Sequence, residues 1–322
     1  MVKFNLIIDG NYMLMRVVHI LHKNQILTSE LYNVIERDYT TLTKLYPFDK
    51  VYFVSDSVRN WRKQFFEGYK GTRKKDDKID WNFVFKEYDK LKEHLKTRKN
   101  CVQMQVDNLE GDDIIAYVMK TLNNKGQSNF LMSNDSDLLQ LISYDLDKNY
   151  INIMYNYKMT DDRVFVPRYY EIFTKHVRDS YVDDIFDENN EIEFLSFLDD
   201  FIRTRKINLI NSEEELFTKI MGHNKDNIKS IYLKGDRGIG KSGISKIYNT
   251  YKETYPEPIN FNSQEFKDRL IEHVKLYKRI KDKNMDENIN ERLKRNLTLV
   301  KLDEESMPTQ LYAQMKKEIK LV

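Results

Sequence analysis

Apolar and polar residues alternate along the first 150 positions in two distinct rhythms. The short apolar runs FNLII (4–8), KVYFV (50–54), VQMQV (102–106) and NFLM (129–132) read as strands. Their near-continuous hydrophobicity suits strands covered on both faces. Between them apolar residues recur every three or four positions: Met13, Leu14, Val17, Val18 and Leu21, then Leu31, Val34, Ile35, Leu42 and Leu45, then Trp81, Val84, Tyr88, Leu91 and Leu95. Each set falls on one helical face and predicts ordinary core packing. Strands alternating with such helices predict an α/β fold with a central, mostly parallel sheet flanked by helices. Further on, Leu216, Phe217 and Ile220 predict a helix over 213–221, and Ile244, Ile247, Tyr248 and Tyr251 predict another, so the C-terminal part is expected to be helical.

Composition narrows this picture only a little. The 322 residues suffice for one large domain or two smaller ones. A balance of 53 Lys and Arg against 51 Asp and Glu leaves a net charge of +2, so the total charge announces no polyanionic partner. The single cysteine, Cys101, allows no intramolecular disulfide and no Cys-cluster zinc site, which fits a reducing cytoplasm. No apolar run approaches a membrane span, and MVKFNLIIDG runs straight into a strand, so neither a membrane partner nor a signal peptide is expected.

The distribution of charge says more. The segment 62-RKQFFEGYKGTRKK-75 carries six basic residues and one acid, with Phe65, Phe66 and Tyr69 interleaved. By contrast, 179–200 holds nine acids and no base, which would repel a phosphate backbone. These shifts predict a core over 1–167 with a basic region at 62–90, an acidic insert at 168–212, and a helical part over 213–322.

Candidate chemistry lies in the placement of acids. Asp9 follows NLII, Asp56 follows YFVS, and Asp135 and Asp137 follow FLMSN, so acids stand at the carboxyl ends of three strands. In open α/β sheets that edge binds ligands. In 109-LEGDDIIAYV-118, Glu110, Asp112 and Asp113 open a helix whose apolar face is Ile114, Ile115, Val118 and Met119, and Asp226 is a more distant candidate. Any one of these acids reads equally well as a helix cap or a complement to a helix dipole. Caps, however, do not need to converge on one sheet edge. Carboxylates crowded without counter-charges repel one another and raise their own pKa values unless divalent cations hold them ionised. Oxygen-only ligands suit Mg²⁺ or Mn²⁺, and a pair of such ions is the arrangement used for phosphodiester hydrolysis. The residues themselves therefore point to a metal-dependent nuclease.

Taken in order, IIDG, VSDSVRNWRKQF, YKGTRKK, LEGDDIIAYV, SNDSDLLQL, MGHNKDN and GDRGIG resemble the motifs of the 5′-nuclease family, which has a PIN-like core, and above all those of the T-even phage type of RNase H. The segment 296-NLTLVKLDEESMP-308 is similar to a strand and loop found late in that family. The resemblance implies that Asp9, Asp56, Asp112 and Asp135 hold a first metal with Glu110, and that Asp137 and Asp226 belong to a second, supported by Asp113. It implies that Lys70 and Arg73 reach the scissile phosphate from an arch over the site, and that Arg62, Lys63, Tyr69 and Lys74 line a nucleic-acid path with bases stacking on aromatic rings. It further implies a monomer of the phage-infected cell that acts on flapped or nicked duplex DNA and RNA/DNA hybrids in replication and repair, with a single-strand-binding protein or sliding clamp as partner. One departure is visible: where the family has G-D-x-x-D-N, this chain has Gly222-His223-Asn224-Lys225-Asp226-Asn227. His223 either ligates as neutral imidazole, contacts a phosphate or plays no part, and a looser second site with a greater need for Mg²⁺, or a preference for Mn²⁺, is expected. Two other functions fit some of the same features, a PIN-like ribonuclease acting on single strands and a DNA-binding protein that keeps the fold without turnover.

The stretch 235-GDRGIGKS-242 offers a rival reading, since Gly235, Gly240, Lys241 and Ser242 match the phosphate loop of ATPases. Only 80 residues follow it, too few and too polar to supply the parallel sheet of that fold. The family resemblance implies instead a helix-three-turn-helix motif whose Gly235, Gly238 and Gly240, with Lys241 and Ser242, grip a DNA phosphate. The family places a K⁺ ion at that hairpin, although the longer spacer IKSIYLK weakens the implication here. Lys241→Ala is expected to weaken duplex binding several-fold in a gel-shift titration and to leave ATP turnover at zero. ATP hydrolysis that is present in the natural chain and lost in this variant would restore the ATPase reading.

Overall fold

The computed structural model describes residues 3–73, 76–157, 162–182, 198–222, 226–233, 238–278 and 285–321. The chain folds as two compact units, one of residues 1–59, 75–211 and 315–322, the other of residues 60–74 and 212–314. These differ from the segments expected from charge. Residues 168–211 belong with the core, 60–74 join the C-terminal unit, and the last eight residues return to the first unit.

The first unit is built on β1 (Lys3–Asp9), β2 (Val51–Val54), β3 (Cys101–Met104), β4 (Gln127–Met132), β5 (Tyr144–Asp145), β6 (Tyr150–Asn156), β7 (Arg163–Pro167) and β8 (Lys206–Ile210). The strand order is β3-β2-β1-β4-β6-β7-β8, with β5 paired to β6. The five strands β3, β2, β1, β4 and β6 are mutually parallel, whereas β7 pairs antiparallel with β6 and β8 runs parallel to β7. The four strands read from the sequence are all present. β6, β7 and β8 were not foreseen.

Helix α1 (Gly10–Lys23) buries Met13, Leu14, Val17, Val18 and Leu21, the set that its periodicity marked. Helix α2 (Leu27–Thr43) packs beside it. After a short helix of the other unit, α3 (Trp61–Phe65), helix α4 (Trp81–Lys96) buries Val84, Tyr88, Leu91 and Leu95. The apolar faces of α1, α2 and α4 meet Phe4, Leu6, Ile8 and Phe53 of the sheet in one core. Helix α5 (Gly111–Asn123) buries Ile114, Ile115, Val118 and Met119. Among the described residues no helix is long and apolar enough to cross a membrane.

In the second unit the helices Ser212–Ile220, Lys241–Thr254, Gln264–Lys278 and Met285–Val300 enclose a core containing Leu216, Phe217, Ile244, Tyr248, Leu270 and Leu293. Asn296 is fully buried and donates to the carbonyls of Ile220 (2.9 Å) and Lys229 (3.0 Å), which satisfies groups left over at a helix end. The late segment expected as a strand is not one, because LTLV (297–300) forms the last turn of the helix Met285–Val300. Its apolar side chains face helices and neighbouring loops, so packing overrides its β-forming composition. Residues 230–233 form no strand either, which removes the one that an ATPase reading needs before its loop.

Gly10 is fixed by space. A Cβ there would lie 2.4 Å from Tyr88 Oη, 2.6 Å from Phe53 and 2.7 Å from the Val54 carbonyl oxygen. The carbonyl belongs to a buried central strand and has nowhere to go. Gly10→Ala is expected to destabilise the protein by about 1–3 kcal/mol, read as a lowered urea midpoint at constant slope.

Candidate functional site

The register of the sheet brings the acids together. Ile8 lies level with Phe53 on one side and Met132 on the other, so β1, β2 and β4 end at nearly one height. Asp9 ends β1, Asp56 lies two residues beyond β2, and Asp135 lies three beyond β4. β1 is also where the strand order reverses, with β2 on one side and β4 on the other. A sheet opens its binding crevice at such a point.

Each acid has a local structural role as well. Asp9 caps α1, accepting the Tyr12 N–H through Oδ1 (2.9 Å), while its Oδ2 accepts the Ser133 hydroxyl (2.7 Å). Asp56 Oδ1 accepts the Gly111 N–H at the start of α5 (2.6 Å). Asp135 caps the short 3₁₀ helix Ser136–Leu141 through the Asp137 N–H (3.0 Å). Asp113 reaches back to the Glu110 N–H (3.2 Å), one half of a capping box. A capping role does not by itself exclude ligand binding, since each carboxylate oxygen carries more than one lone pair. Glu110, Asp113 and Asp137 are buried, Asp112 and Asp135 are half-buried, and Asp56 is exposed.

Electrostatics ties three of them together. The carboxyl of Asp9 is pushed up from 3.8 to about 7, first by burial and further by the negative charges of Asp56 and Asp135, against the opposing hydrogen bonds from Tyr12 and Ser133. An acid held this way stays ionised at neutral pH only at a cost, and a divalent cation among oxygen donors removes that cost. The donor set therefore fits a hard ion. Among the described residues no three His, Cys, Asp or Glu side chains are close enough to enclose an ion as they stand. Ser133 was not foreseen: its Oγ accepts the Asp135 N–H (3.0 Å) while donating to Asp9, and so couples two acids. The only sequence signal for it is its place directly after β4, in SNDSD.

The remaining expected residues lie in the second unit. Asp226 is 1 % exposed and accepts from Arg73 at 2.5 Å, and its carbonyl accepts the Lys70 N–H at 3.0 Å. Two expected contacts with nucleic acid need correction. Tyr69 is buried against Ile228, Leu299 and Val300, and Arg62 is buried with its Nε donating to the Leu299 carbonyl (3.0 Å) and its guanidinium over Trp61. Both serve packing, because an aromatic ring or a long side-chain stem beside an apolar cluster is drawn into it. Lys63 and Phe65 are exposed. In the glycine stretch, a Cβ on Gly238 would lie 2.5 Å from Ser230, whereas one on Gly240 would meet nothing within 4 Å. Gly240 is the N-cap of the helix Lys241–Thr254, with Lys241 and Ser242 exposed in its first turn. Lys74, His223 and Gly235 lie outside the described residues.

Asp9→Asn isolates the electrostatic effect. Asparagine keeps the cap and can donate to Ser133, but carries no charge. In the metal-free protein the folded carboxyl binds its proton more tightly than the unfolded one. Its contribution to stability is therefore present below about pH 4 and is lost as pH rises through about 7. At pH 8 in EDTA the variant is expected to be more stable than the natural chain by about 1–3 kcal/mol in urea melts. The gap should close towards pH 4, and Mg²⁺ should stabilise the natural chain more than the variant.

The chain is 28 % identical over 102 residues to the ribonuclease H of Enterobacteria phage T4, a match that spans 30 % of this chain and about a third (33 %) of that relative. Its fold is that of phage T5 5′-exonuclease solved with bound zinc (TM-score 0.58, 20 % identity, 98 % of each chain covered). It is likewise that of a T5 flap endonuclease pseudo-enzyme-product complex with DNA and metal ions (TM-score 0.55, 18 % identity, 98 % and 94 % covered). The profile of the 5′-3′ exonuclease N-terminal, resolvase-like domain matches residues 5–171, just over half of the sequence, and the chain belongs to the 5′-3′ exonuclease family.

Proposed function

We propose that this chain is a divalent-metal-dependent, structure-selective 5′-nuclease that hydrolyses phosphodiester bonds at the 5′ ends and flaps of duplexes, RNA primers on DNA included. The observation that carries the proposal is Asp9, a buried carboxyl at the switch point of the sheet whose strongest charged neighbours, Asp56 and Asp135, are also acids. A group that is costly to ionise, kept at the edge where ligands bind, is explained by a cation that it serves.

Asp9, Asp56, Asp112 and Asp135, with Glu110, would hold the first ion, and Asp137, supported by Asp113, would serve a second. Asp226, in the second unit, pairs with Arg73, so a cation at that carboxylate would compete with the guanidinium. When bound, the ions supply a Lewis acid for an attacking water and neutralise charge developing on the phosphate. The chain's own residues prepare for this. Ser133 orients Asp9 and Asp135 together, Gly111 fixes one oxygen of Asp56, and α5 sets its positive end beside Glu110 and Asp112. In the second unit Gly240 leaves open the amino end of the helix Lys241–Thr254, where backbone amides and Lys241 would meet a duplex phosphate without reading sequence.

A 5′-labelled flap duplex, and the same duplex with a 5′ RNA segment, incubated with Mg²⁺, with EDTA and with Asp135→Ala, tests the reading. Cleavage is expected with Mg²⁺ alone and should fall at least about a hundredfold in the variant. Cleavage that persists in EDTA, or that Asp135→Ala leaves intact, would overturn the metal mechanism.

A further inference from the structure

A second layer of contacts stands behind Asp9 and Asp56. Asn11 lies two residues after Asp9, in the first turn of α1, and its Oδ1 accepts the backbone N–H of Asp56 (3.2 Å). That bond spans from the end of β1 to the turn that follows β2. Tyr88, on α4, brings its hydroxyl to the same place, 2.9 Å from Ser55 Oγ and a longer 3.5 Å from Asn11 Oδ1. The missing side chain of Gly10 makes room for it, since a Cβ there would sit 2.4 Å from that hydroxyl. Below its hydroxyl the Tyr88 ring packs against Phe53, so the hydroxyl is held on a rigid arm.

This arrangement is more than packing requires. A phenylalanine would fill the ring site equally well, yet a buried hydroxyl is maintained and bonded between the two acid-bearing turns. Asp56 needs such anchoring because it is exposed, stands beyond the end of a four-residue strand and is repelled by Asp9. Its N–H goes to Asn11, its carbonyl accepts from Gln105 Nε2 (2.9 Å), and its Oδ1 accepts from Gly111. We propose that Asn11 and Tyr88 are positioning residues that fix the spacing of Asp9 and Asp56 for divalent-cation binding. This rests on the metal-dependent reading of the site. Neither residue touches the reacting atoms. Their effect passes through the backbone of Asp56 and the turn that carries Asp9.

The full chain, Tyr88→Phe, Asn11→Ala and the double variant are titrated with Mg²⁺ by calorimetry without substrate, and flap cleavage is followed against Mg²⁺ and DNA concentration. Tyr88→Phe keeps the ring, and Asn11→Ala alters a half-buried position, so an unfolding midpoint in EDTA near that of the natural chain is expected for at least one of them. Each single variant should bind Mg²⁺ about tenfold more weakly, as when groups that orient metal ligands are removed. kcat at fixed Mg²⁺ should fall while KM for DNA stays within about twofold. The double variant should be little worse than either single one, because both act on the same turn. Unchanged Mg²⁺ affinity in both single variants overturns the proposal, as does a lowered unfolding midpoint without any change in Mg²⁺ affinity. If the natural chain itself neither binds Mg²⁺ nor cleaves the flap, the metal-dependent reading falls and takes this proposal with it. If the natural chain does both and the variants match it, only the positioning roles fall.

Discussion

The crowding of negative charge at the carboxyl edge of the sheet is the constraint around which the first unit is arranged. Asp9 is buried, and its strongest charged neighbours share its sign. Such a site is tolerable only if each acid is held by several hydrogen bonds and the ligand it serves carries positive charge. Ser133, the Gly111 amide, the Tyr12 amide and Asn11 provide the first condition. Even Gly10 follows from it, since the backbone beside Asp9 must admit the Tyr88 hydroxyl. Burial and like charges together raise the cost of ionising Asp9.

In the second unit, charge is treated differently. Arg62, Asp226 and Arg73 sit within or against its packed surfaces, with Arg62 bonded to the Leu299 carbonyl and Asp226 to Arg73. Part of a basic run that reads as a nucleic-acid path is therefore internal wiring. The glycine stretch divides in the same way: Gly238 is required by the approach of Ser230, while among the described residues nothing comes within 4 Å of a Cβ placed on Gly240. The phosphate-loop pattern describes local chemistry, amides and a lysine at a helix start, and no more. Without a strand at 230–233 and with 297–300 helical, that chemistry has no ATPase fold around it.

How much could be read depended on periodicity. Strands β1 to β4 were legible because they are short, apolar and flanked by helical stripes, and the faces of α1, α4 and α5 followed from their 3.6-residue spacing. β6 and β8 escaped because polar positions such as Asn152, Asn156 and Asn208 interrupt the apolar run, and the side chains of Asn152 and Asn156 also bond to Asn129 and Asn134, on or just after β4. LTLV resembles a strand because β-branched and apolar residues prefer sheets in general, yet among the described residues it forms a helical turn and pairs with no strand.

The sequence by itself determined which acids stand at strand ends, because the end of an apolar run and the residue after it are both local facts. It also carried the expectation of a cation, since like charges repel wherever they meet. The tertiary structure decided which of them meet, through the register that levels Ile8 with Phe53 and Met132. It likewise decided that Tyr69 and Arg62 turn inward, and that a tyrosine 79 positions away from Asp9 supports the turn that carries it. Register and burial depend on partners distant in the chain, and one-dimensional patterns carry no record of those partners.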